Sequence, residues 1–356
     1  MLHRRWLAPA PERTRSPSPE RTRSRAPGQT RTTAPARAVA TLLLFAGTSA
    51  AVDVAAQAVY PSRPVRYIVG YTPGGVADMV ARAVGAKLAD VWGQGVVIEN
   101  RPGGGTNIAT DLAAKAPPDG YTLFMPTVAN VINATLFPKL NHDLMRDFVH
   151  VTNLASTPGI VVCHPSLPLK NAKDLIALAR KRPNDLRHGS TGIGSPHHLA
   201  AELFKSMTGV KMVHVPYRGA TPAITDVIAG HIEIYFGAYA STAPHVKTAR
   251  LRGLAVTSLQ RVGLTPDIPT LDEQGLKGFE TGSWFGLSVP AGTPREVVAK
   301  LHTEVVRVIG LPEVRDRLTA EGAIFIGNSP EQFTTYLRGE IEKWGRAVKI
   351  SGAKPE

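Results

Sequence analysis

The 356-residue chain is 43% apolar, enough to build two domains with proper cores, and its 19% charged residues are ordinary for a globular protein. Of its 41 Lys and Arg, nine fall in 1–58 against three acids, so 59–356 holds 32 basic and 25 acidic residues, a surplus of +7 rather than +13. That surplus suits an anionic ligand; scattered cations, 6% aromatics and no recognition motif argue against nucleic acid, and a single cysteine, Cys163, excludes an internal disulfide.

Residues 1–37 are rich in Arg, Pro, Ser and Thr and cannot bury a core. An apolar run, Ala38–Ala51, follows with Leu42, Leu43, Leu44 and Phe45, and Ala56-Gln57-Ala58 reads as an A-x-A cleavage site. The run is short for a permanent anchor. We therefore expect 1–58 to be a leader and signal peptide removed after Ala58, with the mature protein in the periplasm. The basic leader is longer than an ordinary n-region, and Arg4-Arg5 lies too far from the apolar run for a twin-arginine signal.

From Val65 onward, short β-branched runs alternate with amphipathic stretches. Val65–Tyr71 reads as a strand, Val76–Trp92 as a helix, Val96–Asn100 as a second strand, then a glycine-rich turn, a helix from Asn107 and a third strand, Thr122–Met125. That βαβαβ order implies a parallel sheet covered by helices. Phe148–Cys163 contains two apolar runs joined around Pro158. A second series follows, with helices at Asn171–Lys181, His197–Thr208 and Ala220–Ala229 and strands at Leu186–Ser190, Val210–Pro216, Ile232–Phe236 and Leu254–Thr257. Trp284–Pro290 returns to an extended pattern, and Pro294–Ile309, Pro312–Ala320 and Pro330–Ser351 read as helices with Pro at or near each start.

These elements fit an α/β fold of two lobes crossed twice by the chain, with a hinge at the crossings and a cleft between the lobes. The expected boundaries are 59–160 plus 285–356 for lobe 1 and 161–284 for lobe 2.

Two loops carry the functional signal. Tyr71-Thr72-Pro73-Gly74-Gly75-Val76-Ala77-Asp78 joins a strand to a helix; Thr72 reads as N-cap, Pro73 as the first helical residue, and the glycines admit a ligand to backbone N–H groups. Asp78 would repel an anion, so it either accepts loop N–H bonds or meets a ligand ammonium. Ser190-Thr191-Gly192-Ile193-Gly194-Ser195-Pro196-His197-His198 repeats the design, with Ser195 as N-cap and Pro196 at the first helical position. Four charge-assisted N–H bonds from two such helix starts would supply roughly 6–12 kcal/mol gross, enough after ordering costs for binding without catalysis.

His197, His198 and His214 lack metal-ligand spacing, so no metal or cofactor is expected. There is no G-x-S-x-G elbow and no Walker sequence, and Gly103-Gly104-Gly105 reads as a tight turn because it lacks G-x-G-x-x-G spacing.

The segments YPSRPVRYIVGYTPGGVADMVAR, VIENRPGGGTNIA, PDGYTLFM, HHLAAELF, VHVPYRGATPAITDVIAGHIEIYF, LAVTS, PDIPTLDEQGL, WFGLSVPAGTP and EIEKWGRAV occur in order over 60–353. With them the chain resembles the Bug-type receptors of tripartite tricarboxylate transporters. The resemblance implies a periplasmic type II binding-protein fold whose lobes bury a small organic carboxylate, held by backbone amides, hydroxyls and waters rather than by an Arg. It further implies ligand contacts at Tyr71, Thr72, Gly74, Gly75 and Asp78 in lobe 1 and at Ser190, Thr191, Gly194, Ser195 and His198 in lobe 2, with Thr127 and Tyr239 as wall residues. The expected partners are membrane transporter subunits, served by a monomer. Gly237 departs from the pattern, in which an Asp is frequent after IEIYF, and RVGLTPDIPT lacks part of the usual Ser-Pro run. A periplasmic protein that docks a sensor kinase, and an enzyme on the same fold, are the competing roles.

Overall fold

The computed structural model describes residues 60–319 and 322–355; the expected leader and signal peptide fall outside them. Among the described residues no helix is long and apolar enough to cross a membrane.

The first half builds β1 (Val65–Val69), α1 (Val76–Trp92), β2 (Val96–Asn100), α2 (Asn107–Ala114), β3 (Thr122–Phe124) and α3 (Val128–Leu136). β1 lies between β2 and β3, parallel to both, with Tyr67 opposite Ile98 on one side and Leu123 on the other. Its pleat sends Val65, Tyr67 and Val69 into one core and Ile68 into another. α1 packs closely on β2 through Gly85, where a Cβ would stand 3.0 Å from Ile98 Cδ1.

β4 (Phe148–Cys163) follows, then α4 (Ala172–Lys181), β5 (Arg187–Ser190), α5 (Pro196–Thr208), β6 (Val213–Pro216), α6 (Ala220–Ile228), β7 (Ile234–Ala238), α7 (Tyr239–Lys247) and β8 (Arg252–Val256). The chain closes with β9 (Gly282–Pro290), α8 (Arg295–Ile309), α9 (Pro312–Thr319), β10 (Ile324–Phe325) and α10 (Pro330–Ser351). The main sheet order is β2-β1-β3-β9-β4-β7-β5-β6, with β8 and β10 also pairing β4.

β4 is the element on which the architecture turns. The two apolar runs around Pro158 form one strand, not two. Phe148–Pro158 pairs antiparallel with β9, whereas Gly159–Cys163 pairs with β7 and β8. Pro158 is tolerated there opposite Gly282, whose φ of 152° is open to glycine and where a Cβ would meet Thr157 O at 2.4 Å. Thr257 ties the crossing together: its Oγ1 accepts the Gly159 N–H at 2.8 Å and donates to Thr281 O at 2.6 Å.

Side chains on either side of that point feed separate cores. Leu154 and Ala155 join Tyr67, Val84, Leu88 and Leu287, while Phe148 joins Phe124, Trp284, Phe333 and Trp344. Beyond Pro158, Val161 and Cys163 pack with Phe204, Phe236 and Leu254, and Ile160 and Val162 with Ile224, Tyr235 and Tyr239. Burial pushes the Cys163 thiol up to about 11, as an inert core residue requires. β4 thus feeds clusters on both sides of Pro158, while Leu199 of α5 packs with the Phe124–Trp344 cluster.

Candidate functional site: a cleft built from three glycine loops

The first loop leaves β1 at Gly70. α1 starts at Val76 with Gly75 as N-cap, so the expectation of Thr72 as N-cap and Pro73 as first helical residue is corrected. Gly74 stands at φ 88°, a left-handed conformation that interrupts any helix begun at Pro73. Asp78 Oδ2 takes the Gly74 N–H at 2.9 Å and the Arg82 Nε–H at 2.8 Å, and its Oδ1 accepts from Asn100 Nδ2 at 2.9 Å. Burial opposes ionisation, yet the bonds from Arg82, Gly74 and Asn100 outweigh it and lower the Asp78 pKa to about 2. Asn100 also donates to Tyr71 O at 3.0 Å. Asp78 therefore holds the loop, while no side chain caps the N-terminus of α1.

The second loop, Arg101–Thr106, is the one read from sequence as a tight turn. Gly103, Gly104 and Gly105 all have positive φ, and so does Thr106 at 82°, an unusual place for a β-branched residue. α3 holds it there. Asn133 Nδ2 donates to Gly105 O at 2.6 Å, and Asn130 Nδ2 donates to Thr106 Oγ1 at 3.1 Å and Thr110 Oγ1 at 2.7 Å. Asn130 Oδ1 in turn accepts the Thr127 N–H at 2.7 Å, and Thr127 Oγ1 lies 3.1 Å from the Tyr71 hydroxyl. Thr127 is thus the buried N-cap of α3 and ties the first loop to the second. α2, like α1, starts without a side-chain cap.

The third loop follows β5. Ser195 is the N-cap of α5, accepting the His198 N–H at 3.2 Å, and Pro196 opens the helix, as the sequence pattern indicated. Ser190 Oγ accepts the Gly192 N–H at 3.1 Å, and Thr191 Oγ1 lies 2.8 Å from His197 Nδ1. Gly194, at φ 73°, donates its N–H to His198 Nδ1 at 3.1 Å. A Cβ on Gly194 would stand 3.0 Å from Leu136 Cδ2 of α3, so the loop approaches the first half closely.

Together the loops enclose a cleft of about 680 Å3, within the range of small-molecule sites. Gly70–Thr72, Pro102–Thr106 and Thr191–Pro196 line it, with Ala129, Ile132 and Leu136 of α3 and Phe137 just beyond it as the apolar wall, and Asn133 and Pro355 beside them. Of the residues anticipated from sequence, Tyr71, Thr72, Thr191, Gly194 and Ser195 line this cleft. Gly74, Gly75, Asp78, Thr127, Ser190 and His198 do not; they belong to or brace the same loops. Tyr239 lies elsewhere, buried at the start of α7 with its hydroxyl donating to Thr265 Oγ1 at 3.0 Å. The residues missed are Pro102–Thr106 and the α3 face; the triple glycine was their one visible signal.

Among the described residues no charged side chain lines the cleft. An anion there would meet backbone N–H groups and hydroxyls, together with the positive ends of helices. A smaller cavity of about 20 Å3 sits at the crossing, lined in part by Gly159, His197, Gly237, Thr257 and Gly282.

The family described as the tripartite tricarboxylate transporter family receptor, TctC, matches residues 80–352. A UPF0065 protein in the tcbD-tcbE intergenic region of Pseudomonas sp. strain P51 is 36% identical over 290 residues, 81% of this chain and 86% of that protein. BugT of Bordetella pertussis is 31% identical over 320 residues, 89% of this chain and 98% of its own. Among solved structures, an R. palustris protein with adipate is 36% identical with a TM-score of 0.70, covering 83% of this chain and all (100%) of its own. MatC from Rhodopseudomonas palustris with bound malate is 30% identical with a TM-score of 0.67, covering 81% of this chain and 100% of its own.

Proposed function

Because this chain belongs to the tripartite tricarboxylate transporter receptor family, we propose that it captures a small organic carboxylate in the cleft between its three glycine loops and passes it on unchanged. The observation that carries this reading is the cleft itself: about 680 Å3, free of charged side chains among the described residues, and bounded by loops that lead into uncapped or singly capped helix starts. Such a site holds an anion by oriented dipoles, whose hydrogen bonds to charge contribute ~1.5–3 kcal/mol each. At the cleft's edge the Thr191 hydroxyl lies 2.8 Å from His197 Nδ1, an imidazole that burial weakens to a pKa of about 4, so it is a poor base for turnover.

Adipate and malate, bound by two similar proteins, make C4–C6 dicarboxylates the first ligand class to try. The proposed lobes are 59–160 with 285–356, and 161–284; closing them on the ligand would bend the chain where Pro158–Gly159 meets Gly282. The reading further assigns the mature protein to the periplasm, with 1–58 removed, and gives it membrane transporter subunits as partners. Native mass spectrometry of protein purified from the cell envelope tests this. The expected result is a chain beginning near Val59 carrying one small organic acid; a chain still carrying Arg13 would overturn the export assignment.

A further inference from the structure

The third loop is anchored by imidazoles, and the anchors have a direction. His198 Nδ1 accepts the Gly194 N–H at 3.1 Å, a bond open only to an unprotonated nitrogen. The ring proton then sits on Nε2, 3.6 Å from Glu202 Oε1. On the neighbouring strand, His214 Nε2 lies 2.7 Å from Ser190 Oγ, the atom that accepts the Gly192 N–H. The His198 and His214 rings stack face to face, centroids 3.9 Å apart and planes 15° apart. His188 continues the stack behind His214 at 5.1 Å.

We propose that His198 and His214 are positioning residues that hold the third loop in its binding shape only while both rings are neutral, so that acid loosens the loop and releases the ligand. This inference rests on the receptor reading, because it takes the loop as part of the binding site. The stack has little means of accepting charge. The groups facing it are Glu202 and Lys205 from α5 and His188 from β5, while β7 offers only the Phe236 ring. Glu202, 3.6 Å from His198 Nε2, is also bonded to Lys205 Nζ at 2.7 Å, so the stack shares its one countercharge with a lysine. His198 is 5% exposed and His188 0%, so water does not reach a charge on either ring, whereas His214 is half-buried and partly open to solvent. A proton on His198 Nδ1 would face the Gly194 N–H donor to donor, and a proton on each ring would set two cations face to face.

The electrostatics agree. Burial first, then the charge of His198, lowers the His214 pKa to about 4, and burial with the charge of His214 lowers that of His188 to about 3. The sign follows: both values lie below the unfolded value near 6.5, so the stabilisation is present above that value and is lost as pH falls towards 4. A role for His198 as an imidazolium bonded to the anion would give the opposite trend, with affinity falling as pH rises.

Two measurements on the mature protein test the proposal, with adipate as the probe. Hydrogen–deuterium exchange across Gly192–Ser195, corrected for the intrinsic pH dependence of exchange, requires no ligand. Wild type should lose protection between about pH 6.5, the unfolded value, and about pH 4, to which the His214 pKa is lowered. His198→Asn retains an acceptor for the Gly194 N–H that does not titrate and should lose less, and His214→Phe retains a stacked neutral ring and serves if the first variant folds poorly. Calorimetric titration then compares the ratio of adipate Kd values at the two pH values. The wild-type ratio should exceed the variants' by about tenfold, equivalent to roughly one proton taken up per ligand released over one pH unit. Titration of adipate itself cancels in the comparison. Parallel loss of protection in wild type and His198→Asn would overturn the proposal. Absence of adipate binding at either pH would count against the receptor reading for that acid, while the exchange measurement would still decide the role of the histidines.

Discussion

Gly74 donates its backbone N–H to Asp78 Oδ2 at 2.9 Å, so the helix that follows the first glycine loop reaches back to hold it. The carboxylate is 3% exposed at residue level and also accepts from Arg82 and Asn100. Its folded pKa of about 2 lies below the unfolded value of 3.8, so the stabilisation is present above about pH 4 and lost as pH falls towards 2. Asp78→Asn should cost about 2 kcal/mol at neutral pH. Urea denaturation at neutral pH and near pH 3 checks this: the gap between wild type and variant should shrink in acid.

Gly75→Val separates binding from folding. Gly75 has φ −80°, and the nearest atom to a Cβ there is Thr72 O at 3.9 Å. Val is a poorer N-cap than Gly, so the free protein should lose a little stability, about 1 kcal/mol, and remain folded. A carboxylate seated on the N–H groups at the start of α1 would, however, clash with the branched side chain. Binding should weaken by tenfold or more, about 1.4 kcal/mol or greater. Unchanged affinity would place the ligand away from α1, against the Gly103–Thr106 loop.

Asn130 is the joint between the first two loops. Removing its amide in Asn130→Ala leaves Thr106 Oγ1 and Thr110 Oγ1 without their donor and undoes the capping box of α3. Each buried polar group so abandoned costs roughly 1–3 kcal/mol. The expected loss of stability is about 2–4 kcal/mol, readable by denaturant unfolding. Affinity for the carboxylate should fall with it, because Thr106 is then free to leave its positive φ.

Gly237→Asp introduces the residue that the family resemblance leads one to expect after IEIYF, and in this fold it should fail. A Cβ at Gly237 would stand 2.3 Å from Tyr235 Cε1 and 2.5 Å from Thr242 Oγ1. The Tyr235 ring already occupies that space. Overpacking of this kind costs about 1–3 kcal/mol before the buried charge is counted. Circular dichroism melting should show a clear loss of stability without a gain in affinity.

The scaffold was legible where pattern and chemistry coincide. α1 was readable as Val76–Trp92 because its apolar residues recur at helical spacing, and α5 because Ser195-Pro196 announces a capped start. α3 was missed for a physical reason. Its sequence, VANVINATL, spends two asparagines on holding the Gly105–Thr106 loop, and they blur the apolar period. α7 was missed because Pro244 lies inside it and its polar residues leave no clear face. The same split applies to the site. Tyr71 and Thr191–Ser195 were visible as loop chemistry, whereas Ile132, Leu136 and Phe137 look like any core residues until the fold turns them to the cleft. The triple glycine was seen, but its role depends on Asn130 and Asn133 from a helix that the pattern concealed.

The central claim is that the cleft binds a small organic carboxylate and leaves it intact. Isothermal titration of the mature protein against a panel of C4–C6 dicarboxylates, tricarboxylates and aromatic acids at neutral pH tests it most directly. We expect at least one acid to bind one-to-one with a Kd in the micromolar range or tighter, about −8 kcal/mol or better, and to be recovered unchanged afterwards. A folded protein that takes up none of these acids, or that returns one chemically altered, would contradict the account.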